Sequence, residues 1–190
     1  MDGVKPLSMA AASAAAVLSL CAGPALAQDG PSLAETLNFV VAKMSAQGPV
    51  SFNATMHPRS DGDDTRGDLT TRTTWTFSNF QPDLAGCTLH MHAGTGDQGP
   101  QSQADWALDF RKVTQIQVMT EAEYQHHLEQ SLGGMMSHTV DPEISAIVVK
   151  TVGNDNGTAF PFYDQDMANR VANAMQHAVD LCGGGAKEPF

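Results

Sequence analysis

The sequence predicts an α+β domain: an antiparallel β-sandwich or partly open barrel of six to seven strands, with an N-terminal helix and a C-terminal capping helix. Three observations carry this expectation. Apolar residues recur at helical spacing near the two ends of the mature chain, at Leu33, Leu37, Val40, Val41 and Met44, and again at Met167, Val171, Ala174, Met175, Ala178 and Leu181. Between them the period falls to two, most cleanly over residues 69–80, where Thr73, Trp75 and Phe77 alternate with Thr74 and Thr76. Short turn-forming stretches join these strands, which favours antiparallel neighbours.

Residues 1–27 read as a signal peptide and are set aside from the fold. Lys5 gives a weakly positive start, and residues 9–22 (MAAASAAAVLSLCA) are apolar but too short to span a bilayer. Pro24 breaks that stretch, and Ala25-Leu26-Ala27 predicts cleavage between Ala27 and Gln28. A lipidation box at Leu18-Ser19-Leu20-Cys21 competes, but Leu20 fills the place before the cysteine where a small residue belongs. The expected product, residues 28–190, is a single domain exported to the periplasm or secreted, with no further stretch apolar enough to span a membrane. Its net charge of −11 would repel nucleic acid and anionic membranes, so the expected partner is a protein, a peptide or a small ligand.

Ser32 and Glu35 have capping-box spacing and predict a helix over residues 33–46, stopped by Gly48-Pro49. Strands are expected at 50–56, 69–80, 87–92, 106–110, 113–119, 143–152 and 158–162, with turns at 79–86, 94–99 and 153–157. Residues 143–152 are apolar on both faces, which marks a central strand. Residues 121–132 read as a short helix or an irregular excursion. Asp164 is a suitable N-cap for the last helix, Asp166 suits its positive end, and Gly183-Gly184-Gly185 ends it.

Cys21 leaves with the signal peptide, so the mature chain keeps Cys87 and Cys182. In an oxidising compartment the two are expected to pair, and the long loop they would close makes the bond worth up to about 4–5 kcal/mol in the chain-entropy account. Cys87 shares its expected strand face with Leu89 and Met91, and Cys182 lies on the apolar helix stripe, so both thiols are expected to point into one interior. Two free buried thiols are the alternative.

The run Phe162-Tyr163-Asp164-Gln165-Asp166-Met167-Ala168-Asn169-Arg170-Val171, continuing through His177-Ala178 to Leu181-Cys182, resembles a signature of uncharacterised secreted bacterial proteins. So do the early "ETLNFV" of residues 35–40 and the central spacing of Phe80, Gly86, Cys87 and Leu89. The element order is similar to the pleckstrin-homology-like (PH-like) superfold, which hosts mostly binding modules. That resemblance implies a peptide-accepting groove between the last strand and the C-terminal helix. Residues 121–138 depart from it, standing where a plain hairpin belongs.

The segment Thr88-Leu89-His90-Met91-His92 is the candidate metal motif. Period two puts His90 and His92 on one face, about 7 Å apart, a spacing at which two imidazoles can reach one Zn²⁺ or Cu²⁺. Further ligands would come from His126, His127 or His138, or from His57. Met91 points the other way, and a solvent-facing strand is the simpler reading. Met135-Met136 reads as part of a loop folded over the sheet, and residues 61–64 (DGDD) lack the order of a calcium loop. Asn53 and Asn156 stand in glycosylation sequons that matter only in a eukaryotic secretory pathway. No nucleophile elbow, phosphate loop, dinucleotide fingerprint or H-E-x-x-H motif is present, so no catalytic residue and no cofactor is assigned. The leading expectation is an exported non-catalytic binding domain, with a periplasmic zinc- or copper-binding protein as the alternative and a hydrolase third.

Overall fold

The computed structural model describes residues 30–58, 67–96, 104–131 and 136–185. The signal peptide with its Ala27–Gln28 junction, the DGDD stretch and Met135 lie outside the described residues.

Helix α1 (Leu33–Gln47) begins at the expected capping box. The Glu35 N–H donates to Ser32 Oγ at 3.3 Å, and the Ser32 N–H donates back to the Glu35 carboxylate at 2.8 Å. Four strands follow, β1 (Val50–Pro58), β2 (Leu69–Asp83), β3 (Thr88–Thr95) and β4 (Ala104–Asp109), each antiparallel to the next. A 3₁₀ turn, Phe110–Lys112, then carries the chain into a second sheet at β5 (Val113–Thr120). Helix α2 (Glu121–Ser131) and β6 (Met136–Asp141) return it to the first sheet, where β6 pairs with β1. Strands β7 (Ser145–Thr151) and β8 (Asn154–Phe162) complete the second sheet, and α3 (Gln165–Leu181) ends the fold. Asp164 caps α3 as expected, accepting the Met167 N–H at 2.6 Å.

The first sheet has the order β4-β3-β2-β1-β6 and the second the order β5-β7-β8. Strand β7 is buried on both faces, as its unbroken apolar run requires. Ile147 and Val149, with Phe160 and Phe162 of β8, pack into one core with Leu37 and Val40 of α1, Val171 and Met175 of α3, and Leu89 and Leu108 of the first sheet. The Phe160 ring joins the two sheets, 5.3 Å from Phe77 and 5.4 Å from Trp106 between centroids. On the other face of the second sheet, Ala146, Val148 and Ala159 are covered by Tyr124 and Leu128 of α2. A third cluster of Val50, Phe52 and Ile144 closes the far end of the first sheet.

Several expectations are corrected. Among the described residues there are eight strands rather than six to seven, and they form two open sheets, not a closed barrel. Strand β2 runs on through Asn79, where a left-handed residue (φ 53°) and a register shift between Ser78 and Gln81 mark a bulge. The turn itself is only residues 84–87. Likewise Val152-Gly153 alone turns β7 into β8, and the Asn-rich residues 154–157 belong to the strand. Of the two expectations at 121–132 the short helix holds, as α2 over Glu121–Ser131, and Met136–Asp141 form β6. Cys87 and Cys182 do meet as a disulfide, with Cα atoms 5.9 Å apart. The bond lies at the half-buried rim of the core, because Cys87 ends the turn at φ 50° instead of sharing the face of Leu89, and Cys182 is the C-cap of α3. Backbone bonds from Phe110 to the Cys87 carbonyl (3.0 Å) and from Gly185 to the Val113 carbonyl (3.0 Å) tie the same corner together.

Candidate binding surfaces

Strand β3 alternates as the sequence requires, with Leu89 and Met91 buried, His90 exposed and His92 half-buried. His90 and His92 line one concavity of about 330 Å³ on the outer face of the first sheet, together with Asn79, Gln81 and Asp105. His92 Nε2 stands 2.8 Å from Asp105 Oδ1 and 3.2 Å from Asn79 Nδ2, so the ring bridges β4 and the bulge of β2. His126 and His127 are elsewhere, on α2 against the second sheet. His127 lines a separate cavity of about 180 Å³ with Tyr124, Lys150 and Asp155, while His126 bonds Gln130 at 2.9 Å. The four histidines therefore occupy two surfaces, because α2 crosses the second sheet while β3 lies inside the first. Among the described residues no group of three or more His, Cys, Asp or Glu side chains is placed to hold a metal ion.

A line of three side chains runs from the residue before β2 across β1 to β6, with no motif in the sequence to announce it. Asp68 Oδ1 lies 2.9 Å from His57 Nδ1, and His57 Nε2 lies 3.0 Å from Thr139 Oγ1. The order carboxylate–imidazole–hydroxyl is that of an acyl-transfer triad. The His57 and Asp68 side chains are 35% and 60% exposed, however, so the line lies in water on the outer sheet face. A reacting centre needs water excluded and its donors preorganised. Here the three groups act as a cross-strand tie.

The seam between α2 and β6 is different, since it is dry. Thr120 and Glu123 open α2 with a second capping box: the Glu123 N–H donates to Thr120 Oγ1 at 3.1 Å, and the Thr120 N–H donates to the Glu123 carboxylate at 2.8 Å. That box fixes Glu121 in the first turn, where the side chain is fully buried and its N–H donates to the Ile144 carbonyl at 2.9 Å. Glu121 Oε1 accepts from Gln125 Nε2 at 2.7 Å, and Oε2 has no protein partner. Burial pushes the Glu121 carboxyl up to about 7, with the Gln125 bond opposing it. Two turns on, Glu129 Oε1 lies 3.1 Å from Nε2 of His138, whose side chain is 4% exposed. This is an ion-pair distance without hydrogen-bond alignment, and His138 Nδ1 has no partner either. Gln125 and His138 line one end of a groove of about 300 Å³ over the face of the first sheet that carries Phe52, Met56, Thr73 and Trp75.

The last surface runs between β5 and α3. Strand β5 is an edge, and among the described residues it pairs only with β7. Ile116 and Val118 of β5 face Ala172 of α3 across a groove of about 280 Å³, rimmed by Asn169, Asn173 and Gln176 and free of ionisable side chains. The location that the resemblance implies lies beside the last strand, β8. The β8 edge is blunted by Pro161, which has no N–H to donate and whose carbonyl accepts from Gln47 Nε2 at 2.8 Å. Next to it, the Ser51 N–H donates to the Tyr163 hydroxyl at 2.8 Å. No protein-family model, curated protein or solved structure matches this chain.

Proposed function

We propose that the chain is an exported, non-catalytic binding domain that holds an extended peptide in the groove between β5 and α3. One observation carries this reading: an edge strand that among the described residues pairs only with β7, and is met beyond it only by the Gly185 N–H at the Val113 carbonyl, lies beside a helix, over an apolar floor with a rim of amides. An edge strand offers unpaired N–H and C=O groups that an added strand satisfies. Ile116, Val118 and Ala172 would take alternate side chains of such a strand, since these project every second residue. The rim amides of Asn169, Asn173 and Gln176 each donate and accept, so they suit a peptide main chain without demanding a charge. The net charge of −11 favours a peptide that is neutral or basic. Export rests on the signal-peptide reading, with the paired cysteines in support. The order of two antiparallel sheets closed by a C-terminal helix, similar to the PH-like superfold, belongs to the same proposal.

Selection of binders from a displayed library of extended peptides, followed by amide-shift mapping, tests it. Selected peptides should shift β5 and α3 resonances, and Asn173→Trp, at an exposed groove position, should abolish binding while leaving the melting temperature unchanged. Selected peptides that perturb other surfaces, or that bind Asn173→Trp equally well, would refute the proposal.

A further inference from the structure

We infer a second site, independent of the β5–α3 groove: the groove over the first sheet takes a compact apolar molecule bearing a protonated amine, with the amine at the Gln125–His138 end. The body of the groove sets the first requirement. Phe52, Met56 and Trp75 make its walls apolar and partly aromatic, and its volume of about 300 Å³ is of a size that takes a small molecule.

The polar end sets the second requirement. Gln125 lines the groove; one N–H of its amide is committed to Glu121, which leaves its carbonyl oxygen and a second N–H to offer. His138 is buried beside Glu129, and neither of its ring nitrogens has a hydrogen-bond partner within the protein. Behind these two side chains stand two acids, the fully buried Glu121 and the largely buried Glu129. A groove end backed by two acids, with an unpartnered imidazole and an amide carbonyl, is better suited to a cationic donor than to an anion, because a charge leaving water must find an opposite charge or a hydrogen-bonding partner waiting. An ammonium supplies three donors.

Matched probes read this directly: 2-phenylethylamine, neutral 2-phenylethanol and anionic 3-phenylpropanoate, titrated into the mature, disulfide-bonded protein. The chain has two tryptophans, Trp75 in this groove and Trp106 beside the His90–His92 concavity, so their two indole N–H resonances report which surface is occupied. The amine should shift the Trp75 signal and bind about tenfold or more tightly than the alcohol, with the carboxylate weakest. Gln125→Met, which keeps length and removes the acceptor, should erase that preference. Glu129→Gln provides the same readout should Gln125→Met fail to fold. Equal binding of all three probes, binding that shifts only Trp106, no binding up to about 10 mM, or an undiminished amine preference in a folded variant would each overturn the assignment. None of these outcomes bears on peptide capture at β5.

Discussion

Replacing Glu121 with glutamine should change how stability depends on pH, in a direction opposite to that of most carboxylates. Glu121 is fully buried, and burial raises its folded-state pKa to about 7 from an ordinary 4.5, against the single Gln125 bond. A raised acid binds its proton more tightly in the folded state than in the unfolded state. Its contribution is therefore most favourable below pH 4.5, is lost progressively as pH climbs to about 7, and is flat above that. A shift of that size corresponds to about 3 kcal/mol across the window, a large part of the roughly 5–15 kcal/mol that holds a domain together. The glutamine of the Glu121→Gln variant does not titrate. Its carbonyl can still accept from Gln125, while its amide nitrogen is buried without an evident partner, at a cost of about 1–3 kcal/mol that is the same at every pH. The stability of the variant relative to the natural chain should thus rise by about 3 kcal/mol between pH 4.5 and 8, or about 6–12 °C in relative melting temperature. Urea unfolding of both proteins at intervals over this range measures it, because the titrations they share cancel in the difference. Tyr124, which burial and then the Glu121 charge both raise, titrates above the window. A difference between the two proteins that stays constant within about 0.5 kcal/mol would show that Glu121 is not desolvated, and the dry α2–β6 seam would go with it.

Two further outcomes follow from the corner where α3 meets the sheets. Cys87 and Cys182 are 95 positions apart, so reduction, or Cys87→Ser with Cys182→Ser, should cost up to about 4–5 kcal/mol of unfolding free energy by loop-closure entropy. Thiol titration of the native, unreduced protein should find no reactive sulfhydryl, and finding two would refute the pairing. At Gly184 an added Cβ would run into the Phe110 carbonyl oxygen and sit 3.1 Å from Val179 Cγ1. Gly184→Ala should therefore destabilise by about 1–3 kcal/mol in urea unfolding. An unchanged midpoint would mean that the residues after α3 do not lie against the 3₁₀ turn.

Local chemistry was legible wherever neighbours in sequence decide it. Ser32 with Glu35, and Asp164 with Met167, bond within one helical turn, and the structure keeps both caps. The alternation of β3 and the two-sided apolar run of β7 were likewise local patterns that packing obeyed. Helix α2 was readable too, since Thr120 and Glu123 have capping-box spacing. Its polar composition hid the one stripe, Tyr124 and Leu128, that it buries on the second sheet. Asn79 and residues 154–157 look like turns because Asn and Gly tolerate positive φ, yet a bulge needs the same tolerance.

The sequence by itself determined the two outer helices and their caps, the strand periods, and the two cysteines available to pair. Only the tertiary structure decided that, among the described residues, eight strands divide between two open sheets, that β8 is blunted while β5 is an edge, and that the amide stripe of α3 faces that edge. It alone decided that Glu121, one acid among several in a polar stretch, is the one removed from water, and that His90 and His92 stand apart from His126 and His127. The division has a physical cause. Caps and periods arise from bonds spanning three or four residues. Edges, burial and the meeting of distant side chains arise from which surfaces exclude water together, and that depends on the whole chain at once.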